Sequence, residues 1–252
     1  MHRFFVAPEL LAHTGPTSTV ILPEKLAHQV RDVLHLAIGE QLILLDNSGD
    51  EFVCTVAKSG RMGVEVEMRE RKVGKTEPSI RVILCQALLK SARFEWVLEK
   101  GTELGVAVFV PTLCQRSMPG LKDAGPVKIQ RWQHIVREAA EQCDRSRLPE
   151  LSPICPLVQA LNDIPSQALA LVAWEKEQRR SLRNVLRSAT SITGGTKPTT
   201  VVLFIGPEGG LTAEEVMLAQ QRGIQVVTLG SRILRAETAA IIAVANILYE
   251  LA

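Results

Sequence analysis

The sequence predicts two parts: a small antiparallel β-barrel, then an α/β domain built on a parallel sheet. Three observations carry this. Glu70–Ser79 (ERKVGKTEPS) is polar, holds Gly74 and Pro78 and has no apolar period, so it reads as a linker. Short β-rich runs separated by turns precede it, and strands alternate with amphipathic helices after it. The expected domains are therefore 1–72 and 73–252.

In the first part, Gln41–Asp46 (QLILLD) and Glu51–Ala57 (EFVCTVA) flank Asn47–Asp50, a four-residue loop with Gly49, and predict a hairpin. Gly63–Met68 (GVEVEM) alternates and adds a strand. Arg3–Val6 and Thr19–Leu22 read as strands, and Pro23–Leu34 as a short helix. About 70 residues of this kind suit a small antiparallel barrel. In the second part, Ile80–Leu88, Val106–Leu113, Ala168–Trp174, Thr200–Ile205 and Ile224–Leu229 read as strands. Ala92–Leu104, stopped by Gly105, Ile129–Cys143, Gln178–Ser188, Ala213–Arg222 and Ala236–Leu251 read as helices. Such alternation predicts a parallel sheet covered by helices.

The chain has 252 residues, enough for one long domain or two, and needs no disulfide or metal staple to bury a core. Hydrophobic residues at 46 % and charged residues at 22 % exclude a largely disordered or collagen-like chain. No apolar run approaches the roughly 18–20 residues of a membrane span. The start, MHRFFVAPELLAHTG, does not read as a secretory signal. The cysteines at 54, 85, 114, 143 and 155 are odd in number and form no CxxC, which predicts reduced thiols and a cytoplasmic location. With five histidines, four of them before residue 36, no metal site is expected. Residues 1–72 carry 8 Lys+Arg against 10 Asp+Glu, a net of −2, and the rest carry 21 against 17, a net of +4.

Ligands of open α/β sheets bind beyond the carboxyl ends of the strands. Two loops fall there. Gly206-Pro207-Glu208-Gly209-Gly210 follows the apolar strand VVLFI, which ends at Ile205. Its glycines suit either a tight turn or close approach of backbone to a ligand. Thr212 fits a helix N-cap, with Glu215 as its capping-box partner. The loop matches neither GxxxxGK[ST] nor GxGxxG, which disfavours a nucleotide-binding α/β enzyme. The second loop runs from Leu229 and Gly230 through Arg232, Ile233, Leu234 and Arg235 to Glu237, Thr238 and Ala239. An Arg in such an apolar stretch is expected to meet a phosphate or a carboxylate, Glu208 or Glu237 being the near choices. The last helix lacks a polar face, as at a subunit interface or in a core. Arg116–Arg147 holds seven basic and four acidic residues, Arg116, Lys122, Lys128, Arg131, Arg145 and Arg147 among the former. Lys176–Arg187 holds five basic residues and one acid. Clustered in this way they read as a phosphate-contacting surface, although any one of them also suits a solvated helix face.

KSARFEWVLEKGTELGV (90–106), PTLCQRS (111–117), RWQHIVREAAEQCDRSRLPEL (131–151), IGPEGGLTAEEV (205–216) and LGSRILRAETAA (229–240) occur in this order after the opening HRFFV. Together they resemble the RsmE-type family of 16S ribosomal RNA uridine-N3 methyltransferases, of the SPOUT class of S-adenosylmethionine enzymes, over nearly the whole chain. The resemblance implies a PUA-like RNA-binding barrel at 1–72 and a dimerising SPOUT domain at 73–252 with a C-terminal trefoil knot. It implies S-adenosyl-L-methionine as cofactor, held by Ile205–Gly210 and by Leu229, Gly230, Ile233, Leu234, Arg235, Thr238 and Ala239, with a third strand end at Leu171 and Glu175. It implies 16S rRNA of the small ribosomal subunit as partner, a homodimer through the C-terminal domain, and neither membrane nor metal. Arg3, His28, Arg31, Arg116, Arg131 and Arg145 are the expected RNA contacts. Three positions depart from the family pattern: His35 stands where an Arg is usual, Gly101 where Ala is frequent, and 118–125 is unusually rich in Pro and Gly.

A sulfonium is already an activated leaving group, so methyl transfer to a uracil nitrogen requires alignment of the two groups and removal of the N3 proton. Arg235, Glu208 and Glu237 are the candidate catalytic residues: Arg235 to stabilise an anion or phosphate, the carboxylates as bases or, for Glu208, to shape its loop. Attack by N3 needs no thiolate, so Cys143 is not expected to be a nucleophile. The alternatives are a SPOUT methyltransferase for transfer RNA or another position, and a non-catalytic RNA-binding assembly factor.

Overall fold

The computed structural model describes residues 1–12, 15, 17–118, 125–191 and 197–252, so Lys122 and most of the 118–125 stretch lie outside the described residues. It divides into two units: Met1–Glu77 with Ala140–Leu148, and Pro78–Ala139 with Pro149–Ala252.

The first unit is built on β1 (His2–Phe5), β2 (Thr19–Ile21), β3 (Gln41–Leu45), β4 (Asp50–Gly60) and β5 (Gly63–Val73), with helix α1 (Glu24–His28) running on into a wider π turn over Gln29–Val33. The strands form one sheet in the order β1-β3-β4-β5-β2. The predicted hairpin is β3–β4, with Leu42 opposite Cys54. Two expectations are corrected. The sheet is not wholly antiparallel, because β1 pairs with β3 in parallel. Nor is all of Glu70–Ser79 a linker: β5 runs on to Val73 opposite Asp50–Val53. The Arg71 guanidinium meets the Asp50 carboxylate at 2.6 Å and lies over the Phe52 ring. A strand whose outer residues are charged needs only a paired neighbour, which an apolar-period test does not register.

Both faces of β3 are buried. Leu42 and Leu44 join Phe4, Val20, Phe52, Cys54, Val64 and Val66 on one side. Ile43 and Leu45 pack with Phe5, Val53, Ala140 and Leu148 on the other. The 140–148 segment covers that second face. The Arg3 guanidinium pairs with Glu51 at 2.8 Å and with Asp144 at 2.7 Å, and the Phe5 N–H donates to the Glu141 carboxylate. Arg145 is only 5 % exposed and forms a 2.7 Å ion pair with Glu77.

The second unit contains β6 (Arg81–Ala87), α2 (Ser91–Leu104), β7 (Val108–Leu113), α3 (Pro126–Gln142, whose last residues belong to the first unit), β8 (Glu150–Leu151), β9 (Cys155–Pro156), α4 (Leu157–Asn162), β10 (Leu169–Ala173), α5 (Leu182–Ser191), β11 (Thr200–Ile205), α6 (Ala213–Gln221), β12 (Gln225–Val227) and α7 (Ala236–Leu251). Its sheet runs β12-β10-β11-β6-β7-β8, with β9 also on β7, and all of these pairs are parallel. This is the predicted α/β fold with a parallel sheet. On one face α4 and α6 bury Leu157, Leu161, Val216 and Ala219 against Val172, Val202 and Phe204. Helix α7 packs on β6, β11 and α2. Gly101 brings α2 close to β7: a Cβ there would lie 2.7 Å from the Phe109 ring, so alanine would require repacking.

The basic helix predicted over Gln178–Ser188 begins only at Leu182. Upstream of it the Glu177 carboxylate accepts the backbone N–H groups of Arg179 and Arg180, which closes a turn in place of the helix. Helix α6 opens on the expected capping box: the Thr212 hydroxyl accepts the Glu215 N–H, and the Glu215 carboxylate accepts the Thr212 N–H.

All five cysteines are free. Burial pushes the Cys54 and Cys114 thiols up to about 12, and Cys85 higher still. The thiolate is the reactive form. At pH 8 these three thiols are therefore expected to resist a disulfide reagent in the native protein and to react at once in the denatured chain, as mass mapping of the labelled sites would read.

Candidate functional site

Parallel strands deliver all their carboxyl ends to one edge, and β12, β10, β11 and β6 are neighbours. The segments that leave them are therefore neighbours too. Thr228–Arg235 follows β12, Trp174–Glu175 follows β10, Gly206–Leu211 follows β11, and α2 follows β6. The first three segments, with Arg93 from the first turn of α2, wall a cavity of about 460 Å³.

Of the residues expected around the cofactor, Glu175, Ile205, Gly206, Pro207, Glu208, Gly209, Gly210, Leu229, Gly230, Ile233, Leu234, Arg235 and Ala239 line this cavity. Leu171 and Thr238 are not on its wall: Leu171 lies in mid-strand β10 and is fully buried in the sheet. Arg93, Trp174, Thr228, Ser231 and Arg232 line it as well. Arg93 and Thr228 lie outside the expected segments, whereas Ser231 and Arg232 fall in the second loop and Trp174 at the third strand end. Arg93 sits inside the quoted KSARFEW motif, and Trp174 ends a predicted strand, so position at a strand's carboxyl end was the available signal.

Gly210 has φ +70°, and a Cβ on it would lie 2.9 Å from the Glu175 carboxylate. Arg116 clasps the same loop, donating from Nη1 to the Gly209 carbonyl at 3.0 Å. On its other side, the Glu208 carboxylate accepts the N–H of Lys90, the residue that opens α2, at 3.2 Å. A carboxylate at a helix N-terminus is stabilising there. Glu208 thus pins its loop to α2.

Of the two partners open to Arg235, a phosphate or a carboxylate, the pairing with Glu208 or Glu237 is not formed. Both carboxylates are held by Arg93, whose guanidinium lies 3.6 Å from Glu208 and 3.5 Å from Glu237. Arg235 is the exposed N-cap of α7 and has no ion pair among the described residues. The reason is geometric: Arg93 enters from the neighbouring strand's helix, which no spacing along the sequence reveals.

The expected RNA contacts separate into two groups. Arg3 and Arg145 are turned inward and held by carboxylates, which removes them from a phosphate-contacting surface. Arg31 is held by Asp32, which also accepts from His28, and Arg131 by Glu95 in a two-point contact. The guanidinium of Arg31 keeps the Asp32 carboxyl well below the usual range, and that of Arg131 lowers Glu95 likewise. In contrast Lys176, Arg179, Arg180 and Arg183 are exposed and have no ion pair among the described residues. They lie beside the cavity, because the Thr228 N–H donates to the Arg180 carbonyl and the Leu182 N–H to the Thr228 carbonyl. The ammonium of Lys176 sits 5.9 Å from the centre of the Trp174 ring.

Residues 76–248 match the family model of an RNA methyltransferase domain. A protein of Bacillus subtilis named ribosomal RNA small subunit methyltransferase E is 30 % identical over 253 residues, spanning 99 % of this chain and 97 % of that one. The chain belongs to the ribosomal RNA small subunit methyltransferase E family. Another member, from Synechocystis, is 34 % identical over 98 % of this chain and 77 % of its own length. The crystal structure of the Neisseria gonorrhoeae methyltransferase E bound to S-adenosyl methionine has a TM-score of 0.85 at 29 % identity, covering 99 % of this chain and 97 % of that chain. A Legionella pneumophila methyltransferase in complex with the same cofactor has a TM-score of 0.80 at 27 % identity, covering 99 % and 97 %. Membership in the methyltransferase E family accords with the resemblance first seen in the motifs.

Among the described residues no group of three or more His, Cys, Asp and Glu is placed to hold a metal ion, and no helix is long and apolar enough to cross a membrane.

Proposed function

We propose that the chain transfers a methyl group from S-adenosylmethionine to N3 of a uridine in 16S ribosomal RNA of the small subunit. The observation that carries this is the cavity at the carboxyl ends of the parallel strands, in a chain of the methyltransferase E family.

The residues present fit the cofactor. About 460 Å³ lies within the roughly 300–1,000 Å³ of small-molecule sites. Gly210 leaves open the space that a side chain would fill beside Glu175, and this carboxylate suits a positively charged ligand. When bound, S-adenosylmethionine supplies an electrophilic methyl carbon on a sulfonium. The protein supplies the rest. Pro207–Gly210, fixed by Lys90 and Arg116, and Leu229–Arg235 hold the ligand in one orientation. That orientation converts a bimolecular encounter into a positioned one, worth about 7–11 kcal/mol in ideal cases. Glu208 serves its loop in this reading. Lys176, Arg179, Arg180, Arg183, Arg232 and Arg235 receive RNA phosphates around the cavity mouth.

The same reading makes the first unit an RNA-binding PUA-like barrel, the C-terminal segment a trefoil knot, the assembly a cytoplasmic homodimer and α7 its interface. Support for the interface comes from α7 itself, where the large side chains of Ile242 and Tyr249 are 42 % and 89 % exposed. Sedimentation of the purified protein at twice the chain mass is the expected result.

Calorimetric titration with S-adenosylmethionine, followed by mapping of the methyl group on unmethylated small subunits, tests the function. Absence of donor binding, or of a product at uracil N3, rejects it. Arg235→Ala is expected to retain the fold and to lose at least tenfold in methyl transfer. Replacing Arg179 and Arg180 with glutamine is expected to reduce the slope of log RNA affinity against log salt by about 1 for each charge removed.

A further inference from the structure

Arg93 is anchored without being used up. Its guanidinium lies 3.6 Å from Glu208 Oε1 through Nη1 and 3.5 Å from Glu237 Oε1 through Nε. Both separations exceed the roughly 2.7–3.2 Å of an N–H···O hydrogen bond. The side chain makes no hydrogen bond to any described residue, is 39 % exposed and lines the cavity. A guanidinium carries five N–H donors in a planar fork. Two carboxylates on separate elements thus fix its position by charge while the donors remain available. The exposed Arg235, by contrast, has no carboxylate partner among the described residues and would have to be ordered at the moment of binding.

What a fork at this place can serve follows from the reaction. When uracil loses its N3 proton, the negative charge spreads over N3 and the two carbonyl oxygens beside it. The N3 lone pair must stay free to attack, so the acceptors for the guanidinium are the carbonyl oxygens that share the charge, one of which can take two N–H groups from the fork. We propose that Arg93 is a catalytic residue that donates hydrogen bonds to the target uracil and stabilises its N3 anion. The assignment rests on the reading that the product is N3-methyluracil. The proton passes from N3 to solvent water. The N3 lone pair then forms the N–C bond as the methyl C–S bond breaks, and the sulfur keeps the bonding pair as a neutral thioether. Preorganised donors aimed at developing charge are worth about 100–1,000-fold in rate each.

Single-turnover methyl transfer to unmethylated small subunits, with saturating donor and across pH, tests this with the full-length protein. Arg93→Gln is expected to slow transfer by about 100–1,000-fold. Its rate should go on rising to higher pH than that of the wild type, because N3 ionises later without the guanidinium. Subunits carrying 5-fluorouridine, whose N3 proton is more acidic, should restore Arg93→Gln by at least tenfold and change the wild type less. Arg93→Lys, which keeps the charge but not the fork, should fall between, and it supplies the same readouts if the glutamine variant fails to bind donor in calorimetry. A wild-type rate in Arg93→Gln, or a slow rate with an unchanged pH profile and no gain from 5-fluorouridine, overturns the assignment. A wild-type product methylated at another atom overturns the underlying reading instead, and the assignment with it.

Discussion

Glu77→Ala is expected to lower the unfolding free energy by about 3–5 kcal/mol, the range for removing one partner of a buried ion pair. Arg145 is almost wholly buried, and Glu77 meets it at two points, Nη2 to Oε2 at 2.7 Å and Nε to Oε1 at 3.3 Å. Glu77 Oε1 also accepts the backbone N–H groups of Ser146 and Arg147. One carboxylate therefore neutralises a buried charge and satisfies the turn that delivers 145–147. Glu77→Gln keeps an oxygen for those N–H groups and should lose less. Replacing Glu77 and Arg145 together with methionine should be milder than Glu77→Ala, because no buried charge is stranded. Urea unfolding followed by circular dichroism gives the three values. A change under 1 kcal/mol in Glu77→Ala would show the pair to be dispensable.

Gly210→Val is expected to weaken binding of S-adenosylmethionine by about 100-fold. The backbone at Gly210 has φ +70°, which costs an L-residue about 1–2 kcal/mol, and β-branching makes it worse. The new Cβ would also lie 2.9 Å from Glu175 Oε1 and displace that carboxylate. The variant loop relaxes to another shape, and binding must first restore the competent one. A competent fraction reduced by about 3 kcal/mol reduces apparent affinity by about two orders of magnitude. The loop is a surface turn of the second unit, so the melting temperature should change little. Calorimetry that finds wild-type affinity would remove Gly210 from the ligand's wall.

Much of this site is written in local patterns. Helix α7 spans the predicted Ala236–Leu251, and Thr212–Glu215 caps α6 as read, because periodicity and capping are properties of neighbouring residues. The two loops follow from the strands that end at Ile205 and Val227. What escaped is non-local. Arg93 reaches Glu208 and Glu237 across more than 100 positions. The inward turn of Arg3 and Arg145 depends on carboxylates at 51, 144 and 77, so a count of basic residues overstates the surface they offer. The cover on the second face of β3 did leave a trace. Leu42-Ile43-Leu44-Leu45 is a continuous apolar run, where a barrel strand with one wet face would alternate. Read for its period, that run already demands a second layer, and only the identity of 140–148 as that layer lay beyond it.

The non-contiguity of the first unit bears on its synthesis. The sheet residues are all polymerised by Val73, yet the piece that shields Phe5, Ile43, Leu45 and Val53 ends at Leu148. At about 5–20 residues per second, the gap from Glu77 to Leu148 takes roughly 4–14 s. For that interval the nascent sheet carries an uncovered oily side, the kind of surface that makes a partly folded chain prone to misassociation.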